Sequence, residues 1–409
     1  MNERVVVLDN GGGTIKAGFA GDPNPVKVFP NCTAKIKGER HNLVGDMLLD
    51  TKEILSLVLR RPFDRGYPVN FELQREIWAR TFKHVLRINP REYGLVLTEP
   101  LFNLPSIQAE IEQIIFDDFG FRSVLILPAA ELSITKDAEL RPSLPTSRAR
   151  TGVVIDAGFS LTTVVPVFDG KAIPRAARRI DFGGKAMTNY FKELVSYRSL
   201  HLMDEIYLVE SIKDSMCFVS GNPRHDLVLA KQKLWTSPHR REFVLPDGVN
   251  NLRGYIRDKP VAQKIDSASE KPHLGPQIKE QVLVVNNERF MVPEVLFNPS
   301  DIGIEQAGLA ETIVQAVNAS NPVLHSILFS NIVLTGGVCQ CPGFKERLVA
   351  DLRPLVPDDY ELGVHLPEAP LTHAWQGGSL VGISKEYGRY AITRAQYMED
   401  RGSRRWNDK

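Results

Sequence analysis

The segment VVVLDNGGGTIKAGFAG at residues 5–21 decides the fold, because a second, looser copy of it, GVVIDAGFSLTTVVPVFDG, occupies residues 152–170. Each copy predicts a strand, a turn that contains glycine and an acidic residue, and a second strand that returns beside the first. An internal repeat fixes the architecture before any other signal. The chain is therefore predicted to have two similar halves, each with a hairpin whose tip carries an aspartate, Asp9 or Asp156.

Two such tips facing one another would form a clamp. Glycine at a tip lets backbone amides approach a phosphate with no Cβ in the way, and Gly11, Gly12 and Gly13 supply such a run. An aspartate at each tip can hold a hydrated magnesium ion between the tips. The hairpins thus predict a phosphate site with a metal ion held, through water, by Asp9 and Asp156.

The bulk composition is that of an ordinary globular protein with more than one domain core. The chain has 409 residues, of which 43% are hydrophobic and 24% charged. A formal net charge of +1 gives no global attraction to nucleic acid or membrane, so any DNA contact must come from a local patch. Two arginine clusters could be such patches or merely solvated basic faces: Arg175, Arg178 and Arg179, and Arg401, Arg404 and Arg405.

The four cysteines are few and unevenly spaced, which favours a reducing compartment over a disulfide framework. Cys339 and Cys341 form a C-x-C pair, but no cysteine or histidine nearby in sequence completes a zinc site, so free thiols are the better interpretation. The N-terminus has no apolar core of the secretory type, and no apolar run reaches spanning length. We therefore expect a cytosolic or nuclear protein without membrane segments.

Periodicity predicts alternating helices and strands through the first half. An interruption follows at residues 136–150, which are rich in Pro, Ser and Arg and are predicted to be an exposed loop between the halves. The second half opens at Gly152. The predicted elements of the first half are an amphipathic helix at 70–86, a buried strand at 93–101, a helix ended by glycine at 106–120, and a strand leading into a helix at 123–135.

From end to end the chain resembles the actin family. DNGGGTIKAGFAGD (9–22) and IDAGFSLTTVVPVFDG (155–170) are similar to its two phosphate hairpins. Motifs in the family's order and spacing are far more specific than one glycine-rich turn. The others are IDFGGKAMTNYF (180–191), IKDSMCFVS (212–220), NNERFMVPEVLFNPSDIGIEQAG (286–308), NIVLTGGVCQCPGF (331–344) and AWQGGS (374–379).

The resemblance implies an α/β fold of the actin type, shared with Hsp70 and hexokinase. Such a fold has two domains with duplicated ribonuclease-H-like cores and a central nucleotide cleft. The small domain is expected at residues 1–146 with 372–409, and its outer subdomain, at about 30–60, is reduced. The large domain is expected at 147–371.

The resemblance further implies a site for ATP or ADP with magnesium. Lys16 would add positive charge at the phosphates, although a surface lysine on a strand would read the same way. Lys213 and Asp214 would line the adenosine, although Lys213 could be a solvated helix charge. Gly336 and Gly337 would lie under the sugar and phosphates. The expected nucleotide-site residues are Asp9, Gly11, Gly12, Gly13, Lys16, Asp156, Gly158, Gly184, Lys213, Asp214, Gly336 and Gly337.

Several positions depart from actins. Gly12 replaces a serine that helps to hold the terminal phosphate, and Phe159 replaces an acidic residue. Ala129 and Thr163 replace the glutamine and histidine that place the hydrolytic water, and neither can take over that role. At the adenine wall the chain has Gln340, Cys341 and Leu371 in place of methionine, tyrosine and lysine. We therefore assign no catalytic residue and expect no efficient hydrolysis, and weakened or lost nucleotide binding stays open.

Within the family, SYRSLHLMDE (196–205) and FNPSDIGI (297–304) are most similar to a nuclear actin-related protein of complexes that exchange histone variants. This resemblance implies a non-catalytic scaffold subunit of a nuclear, ATP-dependent chromatin remodelling complex, with some protein in the cytoplasm. The implied partners are the remodeller motor subunit, a small zinc-finger subunit, a RuvB-like ring and the nucleosome, through its histones and DNA. The alternatives are an actin-like ATPase or kinase of the same superfold, and a cytoskeletal filament protein.

An insertion separates two pieces that nearly touch in actins, FVLPDG (243–248) and NNERF (286–290). Residues 250–280 are polar, charged and contain prolines, which predicts a surface excursion that is either functional or disordered. Four apolar residues could serve as anchors for a partner: Tyr255, Ile256, Val261 and Ile265. The insertion is predicted to dock the zinc-finger or the motor subunit. It also argues against a filament, as does the shortened stretch at 29–45.

Overall fold

The computed structural model describes residues 4–399 apart from 37–41, 53, 56, 199, 233–236 and 258–279. Its strands are β1 Val5–Asn10, β2 Thr14–Phe19, β3 Lys27–Pro30, β4 Thr33–Ile36, β5 Asn42–Val44, β6 Leu57–Arg60, β7 Phe63–Asp64, β8 Tyr67–Pro68, β9 Gly94–Glu99, β10 Ser123–Pro128, β11 Gly152–Ala157, β12 Thr162–Phe168, β13 Lys171–Ala172, β14 Arg178–Ile180, β15 Arg241–Val244, β16 Tyr255–Arg257, β17 Val282–Val285, β18 Ile332–Thr335, β19 Val364–His365 and β20 Ile392–Thr393.

The α-helices are α1 Met47–Asp50, α2 Phe71–Arg80, α3 Pro105–Gln113, α4 Ala129–Glu139, α5 Thr146–Ala149, α6 Gly184–Arg198, α7 Ile206–Met216, α8 Pro223–Ala230, α9 Glu288–Glu294, α10 Leu309–Asn318, α11 His325–Phe329, α12 Phe344–Leu352, α13 His373–Ile383 and α14 Lys385–Tyr390. Two π-helical turns, Thr81–Val85 and Ile114–Phe119, extend α2 and α3. Short 3₁₀ turns lie at Pro90–Glu92, Pro299–Ile302, Pro322–Leu324, Val338–Gln340 and Arg353–Leu355.

The predicted internal repeat is confirmed by two sheets of the same design. In the first, with strand order β20-β10-β9-β1-β2-β3, β1 pairs antiparallel with β2 and parallel with β9. In the second, with order β13-β12-β11-β18-β19, β11 pairs antiparallel with β12 and parallel with β18. Because the carboxyl ends of parallel strands lie at one edge of a sheet, each hairpin tip lies at that edge, where ligands of α/β proteins bind.

The apolar run at the start of the chain has no alternation because both faces of β1 are covered. Val6 and Leu8 belong to a core with α2 and α3, whereas Val5 and Val7 pack in a separate core with α4 and α13. Trp375 of α13 donates its indole N–H to the Val7 carbonyl at 3.0 Å. Helix α4 also contributes to a core against β11 and β12 on the second sheet, so it lies between the two sheets.

The predicted outer segment forms a small sheet of order β5-β4-β6. Its apolar side chains, among them Ala34, Leu48 and Leu57, are buried and belong to the same core as the strands and helices of the second half. This segment therefore bridges the two halves instead of standing free. The domain boundaries at 146/147 and 371/372 stay a prediction.

Two interpretations from the sequence need correction. Residues 136–150 are not simply an exposed loop, since α4 runs to Glu139 and Asp137 is buried and paired with Arg141. The insertion at 250–280 does not begin as an irregular excursion, since Tyr255–Arg257 form β16, which pairs with β15. Ile256 is half-buried against the core, while Tyr255 is exposed. Val261 and Ile265 lie outside the described residues.

Candidate functional site

A cavity of about 430 Å³ lies where the two hairpin tips meet. All twelve residues predicted for the nucleotide site line it: Asp9, Gly11, Gly12, Gly13, Lys16, Asp156, Gly158, Gly184, Lys213, Asp214, Gly336 and Gly337. They come from both sheets and from helices α6 and α7, which are far apart in sequence. The fold therefore brings the predicted residues together around one space of the size that small-molecule ligands occupy.

The first tip is electrostatically balanced. Asp9 and Lys16 face each other across the β1–β2 hairpin, and their Oδ2 and Nζ atoms are 3.0 Å apart. The Thr98 hydroxyl donates to Asp9 Oδ1 at 2.8 Å. Both charged side chains are buried, so Lys16 is not the surface lysine of the alternative interpretation. Its ammonium lies inside the cavity wall, where it can act on a bound anion.

The amides of the first tip are available to a ligand. Within the described residues, no acceptor is found for the N–H groups of Gly11, Gly12 and Gly13. The carbonyls of the same turn are held from behind, because Asn31 donates its side-chain amide to Gly11 and its backbone N–H to Gly13, each at 2.9 Å. Such a tip fits a polyphosphate, because phosphate oxygens accept several hydrogen bonds and donate none.

A buried polar network supports this turn, and the sequence analysis missed it. Trp78 Nε1 donates to Asn10 Oδ1 at 3.2 Å, and the Asn31 side chain also reaches Asn10 and Gln74. Asn31 and Gln74 stand in no motif, so they could not be recognised without the contacts. Their function here is to fix the direction of the turn that carries the free amides.

The second tip carries an unbalanced charge. Asp156 occupies the position of Asp9, but the residue opposite it across the β11–β12 hairpin is Thr163. Among the described residues Asp156 forms no ion pair. Burial and, to a smaller extent, the neighbouring Asp9 carboxylate raise the pKa of Asp156 to about 6, against a weaker opposing effect of Lys16. A cation placed between the tips would relieve this cost, which fits the predicted magnesium position.

The start of α6 holds the second tip in place. Helix α6 begins at Gly184. Its first amides do not point at the cavity, however: Gly184 N–H donates to the Gly158 carbonyl at 3.0 Å, and Lys185 N–H donates to the Phe159 carbonyl at 2.8 Å. The positive end of this helix thus positions the tip, and Gly184 contributes only its backbone surface to the cavity wall.

Lys213, Asp214, Gly336 and Gly337 also line the cavity. Lys213 is buried, with 8% of its surface exposed, and pairs with Asp214 at 2.8 Å, so the alternative of a solvated helix charge is wrong. Gly336 has a φ of +91°, and a Cβ there would lie 2.3 Å from the Ala157 carbonyl oxygen. Only glycine fits at this close approach of β18 to the second tip.

The positions that depart from actins also face the cavity. Ala129, Phe159 and Thr163 line it beside the tips. Gln340, Cys341 and Leu371 line it as well. The departures therefore alter the site itself and not its surroundings.

Arg61 lies behind Phe159, and nothing in the sequence drew attention to it. Its Nη1 donates to the Gly13 carbonyl at 3.0 Å, and its Nη2 lies 3.0 Å from Glu210 Oε2 on α7. Its guanidinium carbon lies 4.2 Å from the centre of the Phe159 ring. Arg61 thus ties the first tip, the second tip and a helix of the second half to one another.

The other candidates from the sequence do not form a second site in the part of the chain that the structure describes. The four cysteines are free thiols, and within the described residues no three His, Cys, Asp or Glu side chains are grouped to hold a metal ion. Arg178 donates to backbone carbonyls, and Arg179 pairs with the Asp181 carboxylate. Arg401, Arg404 and Arg405 lie outside the described residues. No helix of the described residues combines the length and apolar character needed to cross a bilayer.

Comparison with known proteins identifies the family. The family model for actin matches residues 1–407. A protein named actin-related protein 6 from Oryza sativa subsp. indica is 43% identical, with 98% of this chain and 97% of the relative covered. The proteins of that name from Arabidopsis thaliana and Drosophila melanogaster are 42% and 38% identical, covering 97% and 98% of this chain and 96% and 98% of their own lengths. These matches confirm the predicted actin-type fold and the resemblance to actin-related proteins. The chain belongs to the actin family, and within it is similar to the proteins named actin-related protein 6.

Proposed function

We propose that the chain is a non-catalytic scaffold subunit of a nuclear, ATP-dependent chromatin remodelling complex that exchanges a variant histone into nucleosomes. The segments 196–205 and 297–304, which resemble an actin-related protein of such complexes, support this proposal, as does the similarity along the whole chain to actin-related proteins. In this role it assembles with the motor subunit, a zinc-finger subunit, a RuvB-like ring and the nucleosome, and it acts in the nucleus.

In the same proposal the cleft holds ATP or ADP with magnesium as a structural ligand. The free amides of Gly11–Gly13 and the Lys16 ammonium would hold the phosphates, and Asp9 and Asp156 would hold the cation through water. Lys213 and Asp214 would line the nucleoside, with Gly336 and Gly337 beneath the sugar. The bound cation would neutralise phosphate charge, and the nucleotide would fix the two halves relative to each other.

One observation carries the non-catalytic part. Donors for phosphate are present in the cleft, whereas the two positions that would place an attacking water hold Ala129 and Thr163. Alanine offers no hydrogen bond, and a threonine hydroxyl cannot accept and return a proton as an imidazole does. Since placing the water is much of what such a site contributes to hydrolysis, nucleotide held here should persist.

The test of the catalytic statement is phosphate release from magnesium ATP by the purified chain. We expect no turnover above background. Turnover that disappears in Asp9→Ala and in Asp156→Ala would show that this cleft hydrolyses ATP and would overturn the proposal.

The test of binding is thermal unfolding with and without millimolar magnesium ADP or ATP. A ligand that binds only the folded state raises the melting temperature. Gly11→Val should abolish the rise, because a side chain there would crowd the Thr14 carbonyl and Lys16, at 2.9 and 3.5 Å from the Cβ. Gly221→Val is the matched control, since no atom lies within 4 Å of a Cβ at that position. No rise with the wild-type chain would mean that the cleft no longer binds nucleotide.

The test of assembly is purification from nuclear extract with quantification of co-purified subunits. The proposed docking segment is the insertion, and the variant should replace residues 258–279 with a short Gly-Ser linker. Deleting all of 250–280 would also remove β16 and Arg253, which donates to the carbonyls of Leu49 and Thr51 at 2.9 Å. A chain with residues 258–279 in shuffled order controls for length and composition. We expect both variants to unfold as the wild type does and to lose remodeller subunits. Wild-type stoichiometry in the deletion would place the partner surface elsewhere.

A further inference from the structure

The two hairpin tips touch each other at the phosphate end of the cavity. A Cβ added to Gly12 would lie 2.4 Å from Ser160 Oγ, and one added to Gly13 would lie 2.6 Å from Phe159 Cβ. A phosphate hydrogen-bonded between two loops needs about 3 Å on each side, in addition to its own width. The tip contact, formed by Gly12, Gly13, Phe159 and Ser160, leaves no gap of that size.

The Phe159 ring is held in this position from its far side. Arg61 lies over the ring at 4.2 Å and donates to the Gly13 carbonyl of the other tip. The other end of its guanidinium pairs with Glu210 on α7, and 12% of the Arg61 side chain is exposed. To swing aside, the ring must leave a cation–π contact whose arginine is itself fixed at two points.

Arg61 does not offer a free positive charge to a terminal phosphate. Its Nη1 is engaged by a carbonyl and its Nη2 by the Glu210 carboxylate. The Phe159 ring covers one face of the guanidinium plane. A terminal phosphate would therefore meet an aromatic ring and a neutralised arginine, which is an arrangement that excludes rather than binds it.

The rest of the cavity is intact. The cavity as a whole has a volume of about 430 Å³, within the range of small-molecule sites, roughly 300–1,000 Å³. Lys16 and the Gly11 amide line the cavity at the first tip. These donors serve phosphates that approach the first tip without passing between the tips.

We propose that the cleft selects a nucleoside diphosphate over the triphosphate, with Phe159, fixed by Arg61, as the residue that determines this specificity. The inference rests on the proposed nucleotide-binding function and adds the identity of the bound state. In this arrangement the protein binds the nucleoside diphosphate directly and excludes the triphosphate. It therefore does not need hydrolysis to hold the diphosphate.

The experiment is isothermal titration of the full chain with magnesium ADP and, separately, magnesium ATP. We expect ADP to bind about tenfold or more tightly than ATP, the size of discrimination that steric fit in a pocket supplies. Equal affinities would overturn the inference and leave nucleotide binding intact. Binding of neither nucleotide would overturn both the inference and the nucleotide part of the proposed function.

Three variants locate the source of the preference. Phe159→Ala removes the ring, and Arg61→Met frees the ring while leaving it in place, so both should bring the ADP and ATP affinities to within about threefold. Phe102→Ala is the matched control, because Phe102 lines the same cavity outside the tip contact and should leave the ratio unchanged. If one of the first two variants fails to fold, the other decides. A wild-type preference that survives in either folded variant would overturn the assignment to Phe159.

Discussion

The two hairpins follow the same path but differ in charge balance. In each, an aspartate at the tip faces the residue seven positions later across the hairpin, Lys16 in the first and Thr163 in the second. Asp9 is therefore neutralised within the protein, while burial and Asp9 raise the pKa of Asp156 to about 6. The two copies of the hairpin thus share the position of the aspartate, but only the first copy supplies a positive charge that compensates it. The first tip needs no ligand to balance its charge. The second tip contains a buried carboxylate that destabilises the fold, and a bound cation would remove this effect.

The largest expected effect comes from making the first hairpin resemble the second. Lys16→Met leaves Asp9 buried without its partner, which should lower the free energy of unfolding at pH 7.5 by about 3–5 kcal/mol, measured by urea denaturation. The control is the double variant Asp9→Asn with Lys16→Met, which removes both charges and should recover most of the loss. A loss of the same size in the double variant would mean that packing, and not the ion pair, explains it.

The same substitution at the two aspartates should have opposite signs. The folded-state pKa of Asp156 lies above its unfolded value of 3.8, so the ionised carboxylate destabilises the fold, and this cost grows as the pH rises from about 4 to 6. Asp156→Asn should therefore raise the free energy of unfolding at pH 7.5 by about 1–3 kcal/mol, and the gain should vanish near pH 4. Asp9→Asn should lower it instead, because Lys16 loses its partner.

The measurement for this pair is urea denaturation of both variants and the wild type from pH 4 to pH 8, without nucleotide or divalent cations. Destabilisation by Asp156→Asn at pH 7.5, or a gain that does not depend on pH, would contradict the difference drawn between the two tips.

A smaller effect is expected from making the second hairpin resemble the first. Thr163 is half-buried and lines the cavity, so the cavity offers room for a longer side chain. Thr163→Lys should lower the pKa of Asp156 and stabilise the fold at pH 7.5 by about 1 kcal/mol. This is slightly less than the free energy of a tenfold change in an acid dissociation constant. Thr163→Gln, equally polar but uncharged, is the control and should give no such gain. In the Asp156→Asn background the lysine should bring no benefit, and a gain there would show that it acts elsewhere.

Much of this arrangement was readable in the sequence. The repeat predicted the two sheets, and the repeat and the resemblance together supplied twelve of the residues that line the cavity. Lys16 and Thr163 each stand seven residues after an aspartate in the sequence. Only the register of the hairpins shows that this spacing places them opposite Asp9 and Asp156.

Other features depend on contacts between distant parts of the chain and could not be predicted. Arg61, Asn31 and Gln74 stand in no motif, and their functions arise from what lies opposite them in space. The extension of α4 to Glu139 was missed because burial of Asp137 with its arginine partner compensates for poor apolar periodicity. The short strand β16 was hidden at the edge of a polar insertion, since three residues give too little pattern to recognise.

The packing of Trp375 against β1 has a consequence for biosynthesis. The hydrogen bond from Trp375 to Val7 joins residues 368 positions apart, and α13 supplies much of the core on one face of β1. On the ribosome the N-terminal sheet must therefore wait, with that face uncovered, until nearly the whole chain has emerged. The strands of the second main sheet all lie between Gly152 and His365 and can close earlier. The later half of the chain is thus positioned to fold first, which reverses the usual order of folding during synthesis.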